Sequence, residues 1–173
     1  MPKTFRTINP ATEETLEELE LHSPAAVQEA LRRSQAAFVD WSRTSFERRA
    51  SLLGAVAARL REDEVALARH ATLEMGKPLG QARAELQKCA RTCDYFAEHA
   101  AQMLADERTP SDASESYVCF DPLGTVLAIM PWNFPYWQVF RAAAPALMAG
   151  NTMILKHALS VSRCALEIER VFE

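Results

Sequence analysis

Asn133 and Lys156 are the two side chains in this 173-residue sequence whose setting could support chemistry. Asn133 stands in Pro131-Trp132-Asn133-Phe134-Pro135, directly after the apolar run Thr125 to Met130. Lys156 closes a second apolar run, Asn151 to Lys156, and leads into His157-Ala158-Leu159. In open α/β sheets, ligands bind beyond the carboxyl ends of the strands. The two segments would therefore be neighbours on one binding edge. Asn133 offers an amide donor, Trp132 a flat apolar wall and Lys156 a cation close to a helix start. That set suits a phosphate-bearing or ribose-bearing ligand. Blander readings stand beside it. A Trp between prolines packs into many loops, an Asn after a strand is a common turn residue, and a Lys at a strand end is commonly solvated. No GxGxxG, P-loop or nucleophile elbow occurs in the sequence.

The other reactive residue types carry less. Cys89 and Cys93 share a face of a predicted helix and form no CxxC motif. With Cys119 and Cys164 they read as structural thiols in a reducing compartment, which points to the cytoplasm. His22, His70, His99 and His157 lack metal-ligand spacing, so no metal site is expected. Lys plus Arg is 19 against 23 Asp plus Glu, a net charge of -4 without a basic block, which argues against nucleic acid as a partner. No apolar run reaches the ~18 residues of a membrane span, and the N-terminus lacks the apolar stretch of a secretory signal. A 49% hydrophobic fraction excludes a disordered chain, and only 5 Gly favours helix over a turn-rich β fold.

The elements that would position the site change character near residue 110. Ahead of it the sequence reads as almost continuously helical. Ser23-Pro24 is an N-cap with proline at the first helical position. Thr44 with Glu47 forms a capping box for a second helix. A third, about Glu62 to Met75, stops at Gly76-Lys77-Pro78. A long helix follows, with Leu86, Cys89, Cys93, Phe96 and Met103 on one face. Residues 109–114 form a polar linker to a short strand, Tyr117 to Phe120. Thr125 to Met130 reads as a parallel strand buried on both faces. A helix from Tyr136 to Ala149 and the strand Asn151 to Lys156 complete a βαβ unit, and Ser160 caps a last helix. The fold class is α/β: a helix-rich N-terminal region (1–110), a linker and short strand (111–124), and an incomplete Rossmann-like parallel unit (125–173). Two strands do not complete a doubly wound sheet, so the sequence reads as cut off inside that domain. An unpaired apolar strand edge would make the chain prone to associate.

Several segments, in order along the chain, resemble the N-terminal half of the aldehyde dehydrogenase family. They are Asn9-Pro10-Ala11-Thr12, Glu74-Met75-Gly76-Lys77-Pro78, Pro122-Leu123-Gly124, Pro131 to Pro135, and Ala149-Gly150-Asn151-Thr152 with Ile154-Leu155-Lys156. The phrase WNFPYWQVFRAAAPALMAGN is most similar to the succinate-semialdehyde dehydrogenase-like branch. The first of these segments matches the family's opening strand region, and the segment Tyr117 to Phe120 matches its oligomerisation arm.

The resemblance implies roles residue by residue. Asn133 matches the asparagine whose amide donates to the oxyanion of the thiohemiacetal intermediate. Met130, Pro131, Trp132 and Asn133 itself match positions lining the nicotinamide cofactor. Lys156 matches the lysine that binds the adenosine ribose or its 2′-phosphate, with His157, Ala158 and Leu159 beside it. Members that prefer NAD often carry Glu where Leu159 stands. Leucine neither accepts from ribose hydroxyls nor repels a phosphate, and His157 could favour one, so the cofactor expected is NADP before NAD. Arg141 aligns with an arginine that binds the substrate carboxylate, although a surface or inter-domain salt bridge fits it equally. The family's nucleophilic cysteine, general-base glutamate and pyrophosphate glycines belong downstream of residue 173, and none of the four cysteines stands in the nucleophile's context. The expectation is thus part of an enzyme that oxidises a small aldehyde, inactive alone, with a homo-oligomer or a missing C-terminal half as partner. The alternatives are a non-catalytic remnant or interaction fragment and, more remotely, an unrelated βαβ nucleotide binder.

Overall fold

The computed structural model describes residues 4–173. The chain opens with an antiparallel hairpin, β1 (Thr4–Ile8) and β2 (Thr15–Glu20). This departs from the almost continuously helical reading of the region ahead of residue 110. Residues 9–12 are the hairpin's turn and not a strand, with Asn9 Oδ1 accepting from the Ala11 amide at 3.0 Å. The segment TLEELE is rich in helix-forming residues, yet cross-strand pairs such as Arg6 with Glu18 (2.9 Å) hold it extended.

Four helices follow: α1 (Pro24–Trp41), α2 (Phe46–Glu62), α3 (Glu64–Met75) and α4 (Leu79–Met103). Ser23 caps α1 as its sequence predicts, accepting from the Ala26 amide at 3.1 Å. The cap of α2 falls one residue later than expected. Ser45, in extended backbone, accepts from the Arg48 amide, while the Thr44 hydroxyl donates back to the Trp41 carbonyl at 2.6 Å. Thr44 thus closes α1 and cannot open α2. Gly76 ends α3 at φ +72°, a left-handed conformation that favours glycine. On α4, Leu86, Cys89 and Cys93 are fully buried, whereas Met103, the last residue of the helix, is exposed.

A two-residue ribbon, β3 (Glu107–Arg108) with β4 (Tyr117–Val118), precedes the βαβ unit. The expected strand to Phe120 ends at Val118. Then come β5 (Thr125–Met130), α5 (Trp137–Met148), β6 (Thr152–His157), a 3₁₀ turn (Leu159–Val161) and α6 (Ser162–Phe172). Strands β5 and β6 pair in parallel, from Thr125 opposite Thr152 to Met130 opposite His157. One core runs from Leu53 on α2 to Val171 on α6, so the helical region and the βαβ unit share it. Met130, Met153 and Leu155 turn one sheet face toward that core.

The other sheet face departs from the double burial expected of β5. Helix α1 reaches only its beginning, where Ser34 Oγ lies 3.1 Å from both Thr125 Oγ1 and Thr152 Oγ1. Further along, Leu127 and Ile129 are 61% and 67% exposed. Only one of the two helical layers that usually sandwich a parallel sheet covers its full length here.

Candidate functional site

The carboxyl ends of β5 and β6 do lie side by side, and a histidine fastens them. His157 ends β6 with its ring buried. Its Nε2 donates to the Pro135 carbonyl at 2.8 Å, and its Nδ1 accepts from the Ala158 amide at 2.8 Å. That pair of bonds fixes the tautomer. Burial depresses the imidazole's proton affinity, so the neutral ring that this bonding needs is also the favoured one. This corrects the expectation that His157 could attract a phosphate. Its Nε2 is spent on joining the loop after β5 to the end of β6, and its Nδ1 and the Ala158 N–H are spent on each other.

The Pro131–Pro135 loop is held from below by residues of the α3–α4 junction. Lys77 and Glu85 form a buried ion pair. The Lys77 ammonium also donates, over a long 3.4 Å, to the Asn133 carbonyl and sits 3.8 Å from the centre of the Phe134 ring. Glu85 Oε1 accepts from the amides of Tyr136 and Trp137 at 2.9 and 2.8 Å, satisfying the first N–H groups at the start of α5. The Tyr136 hydroxyl then donates to the Leu67 carbonyl at 2.8 Å, anchoring the loop to α3. Above this support the loop faces outward. Trp132 and Asn133 are exposed, and among the described residues no protein group hydrogen-bonds the Asn133 side-chain amide. Met130 is half-buried against the core, and Pro131 is exposed.

On the neighbouring segment, Lys156 and Leu159 are exposed, and Lys156 has no salt-bridge partner among the described residues. Arg141, one turn into α5, is exposed and likewise lacks an acidic partner among the described residues, so the intrachain salt-bridge reading for it finds no support. Within the turn before β5, Asn151 Oδ1 accepts from the Leu123 and Gly124 amides at 2.8 and 3.1 Å, and its Nδ2 donates to the Ala146 carbonyl. Asn151 thereby sets the register at which the two strands begin. Gly150 beside it has φ +88°, and a Cβ there would lie 2.5 Å from Arg49 Nη1.

A second buried carboxylate does for α6 what Glu85 does for α5. Glu74 accepts from the Arg163 and Cys164 amides at 2.8 and 3.0 Å. The cap expected from Ser160 is replaced by this one, because Ser160 lies in the 3₁₀ turn ahead of the helix. Burial raises the Glu74 pKa, opposed by those two amide bonds. Glu74 and Glu85 are functional supports that sequence reading missed. Their partners lie 51 to 90 residues away, and the one available signal was an acidic residue at a buried position of an amphipathic helix.

Three of the four cysteines sit in surroundings unsuited to nucleophilic work. Cys89, Cys93 and Cys164 are buried, and desolvation pushes all three thiols far up, Cys93 to about 12. Cys119 is exposed beside the β3–β4 ribbon.

Comparison with known proteins extends over the whole chain. The aldehyde dehydrogenase family profile matches residues 1–173. A probable succinate-semialdehyde dehydrogenase [NADP(+)] of Synechocystis sp. is 47% identical over 167 residues, covering 96% of this chain and 37% of that protein. The succinate semialdehyde dehydrogenase [NAD(P)+] Sad of Escherichia coli is 45% identical, with 96% and 36% covered. Among solved structures, the succinic semialdehyde dehydrogenase of Streptococcus pyogenes in complex with NADP+ superposes with a TM-score of 0.93 at 33% identity, covering 97% of this chain and 37% of that one. The chain therefore spans little more than a third of the length of the relatives it matches.

Proposed function

The chain belongs to the aldehyde dehydrogenase family, and from that premise we propose that it is the N-terminal part of an NADP-preferring enzyme oxidising a small aldehyde, succinate semialdehyde or one like it, to the carboxylate. The observation that carries this reading is the state of Asn133. Its backbone is gripped from beneath while its exposed amide has no hydrogen-bond partner among the described residues, at the carboxyl edge of the parallel strands. A fixed donor of this kind stabilises the oxyanion that develops when a thiolate adds to an aldehyde carbonyl, typically by ~3 kcal/mol. The thiolate and the general base would come from the part of the fold that follows.

The exposed residues around Asn133 suit a nicotinamide dinucleotide. Trp132 and the backbone at Met130 and Pro131 form a wall beside the amide. Lys156, free of acidic partners among the described residues, offers a cation for the ribose or its 2′-phosphate. Leu159 places no carboxylate against that phosphate, which favours NADP over NAD. When bound, the cofactor supplies the hydride acceptor. Arg141 would receive the remote carboxylate of a substrate such as succinate semialdehyde, a role supported by its exposure and by its having no acidic partner among the described residues. Tyr117 and Val118 on the β3–β4 ribbon and Phe120 beyond it are about half exposed, an apolar surface suited to subunit assembly. The buried state of three cysteines supports the expectation that the 173-residue chain does not turn over aldehyde by itself.

The test is a hybrid in which this chain is continued by the C-terminal portion of the E. coli relative. It should reduce NADP+ with succinate semialdehyde, whereas the 173-residue chain alone should not. A folded hybrid that binds NADP+ but oxidises no aldehyde would overturn the reading.

A further inference from the structure

We propose that Lys77 and Glu85 are positioning residues that preset the Asn133 amide for its work on the oxyanion. The proposal rests on the function given above. Lys77 is 6% exposed, and its ammonium meets three groups: the Glu85 carboxylate, the Asn133 carbonyl at 3.4 Å and the Phe134 ring at 3.8 Å. Glu85 holds the next two residues but one, Tyr136 and Trp137, through their amides. Between these grips stands Pro135, whose ring fixes φ and whose carbonyl is held by His157. Every residue from 133 to 137 is thus tied to α4, to the α3–α4 junction or to the end of β6.

Stability does not explain a buried ion pair at this point. Taking two charges out of water costs about as much as their attraction returns, and well-packed neutral replacements are commonly as stable or more so. What the pair supplies is placement. An ammonium reaching a backbone carbonyl fixes the peptide from which the Asn133 side chain departs. The value of an oxyanion donor depends on being held before charge develops.

The informative variant is the double substitution Lys77→Met with Glu85→Gln. It removes both charges together, so no orphan charge is buried. Glutamine keeps a carbonyl acceptor for the Tyr136 and Trp137 amides, and methionine cannot donate to the Asn133 carbonyl. In the 173-residue chain, amide hydrogen exchange at Tyr136 and Trp137 should quicken by about 10-fold, with exchange in β5 and β6 and the melting temperature little changed. In the hybrid enzyme, kcat should fall by about 10-fold while KM for NADP+ stays within about twofold. Should the double variant fold poorly, Lys77→Met alone removes the donor to the Asn133 carbonyl while the Glu85 carboxyl keeps its two α5 amide bonds, and should move both readouts the same way. Unchanged exchange at Tyr136 and Trp137, or a rise in KM for NADP+ without a fall in kcat, would overturn the proposal. An inactive unsubstituted hybrid would overturn the functional reading and the catalytic part of this proposal with it. The exchange result judges the Lys77–Glu85 clamp independently.

Discussion

His157 Nε2 donates to the Pro135 carbonyl at 2.8 Å, and this one bond ties the loop after the first parallel strand to the end of the second. The ring must be neutral to accept from Ala158 at the same time. Burial lowers its pKa below the ordinary value of 6.5. The unfolded chain therefore binds a proton at higher pH than the folded one. The stability that His157 contributes is present above pH 6.5 and is lost as pH falls from there toward its depressed folded value. His70, also shifted down by burial, adds to the same loss, while Glu74, shifted up, acts in the opposite sense as pH rises above 4.5. Comparing His157→Gln with the parent isolates one group. Urea midpoints at pH 7.5 and 5.5 should show a smaller acid-side loss in the variant, and an equal loss would refute this assignment.

The thiols make a second prediction. Three are buried with strongly raised pKa values, and one is exposed. A thiol-specific reagent under native conditions should modify Cys119 rapidly. Cys89, Cys93 and Cys164 should react only at the rate of unfolding. Peptide mapping after brief labelling reads the result directly, and early label on Cys93 would contradict the burial.

Much of this arrangement was legible in the sequence because its signals are local. The βαβ unit, the Ser23 cap and the Gly76 stop each depend on a few adjacent residues. So does the neighbouring placement of Pro131–Pro135 and Lys156–Leu159, which follows from strand direction alone. What could not be read is non-local. Thr15 to Glu20 has the composition of a helix and becomes a strand only because residues 4–8 lie beside it. The true caps of α5 and α6 are carboxylates on α4 and α3, and nothing near Tyr136 or Ser162 announces them. His157 looks like an anion contact when written next to Lys156. Along a strand, however, side chains at successive positions face opposite sides, and His157 faces inward.

Glu74 should prove costly to remove. Substituting alanine leaves the Arg163 and Cys164 amides at the start of α6 without an acceptor, in a buried setting. The expected destabilisation is about 2 kcal/mol by urea unfolding. Glu74→Gln retains one acceptor oxygen and should lose less. Equal losses for the two variants would indicate that packing, and not the amide bonds, accounts for the effect.

Leu159 offers a handle on cofactor choice. In the hybrid enzyme, Leu159→Glu sets a carboxylate beside Lys156. It should weaken NADP+ by about 10-fold relative to NAD+, through repulsion of the 2′-phosphate and capture of the ribose hydroxyls. Steady-state KM values for the two cofactors give the ratio, and an unchanged ratio would remove Leu159 from the cofactor site.

The Asn133→Ala variant of the hybrid bears most directly on the central claim, that this chain contributes the oxyanion donor of an aldehyde dehydrogenase. Its NADP+ affinity, measured by titration, should stay within a few-fold of the parent's, because Trp132, Lys156 and the loop backbone still hold the cofactor. Its kcat for aldehyde oxidation should drop by about 100-fold or more. An Asn133→Ala hybrid that binds NADP+ and oxidises succinate semialdehyde as fast as the parent would contradict the claim.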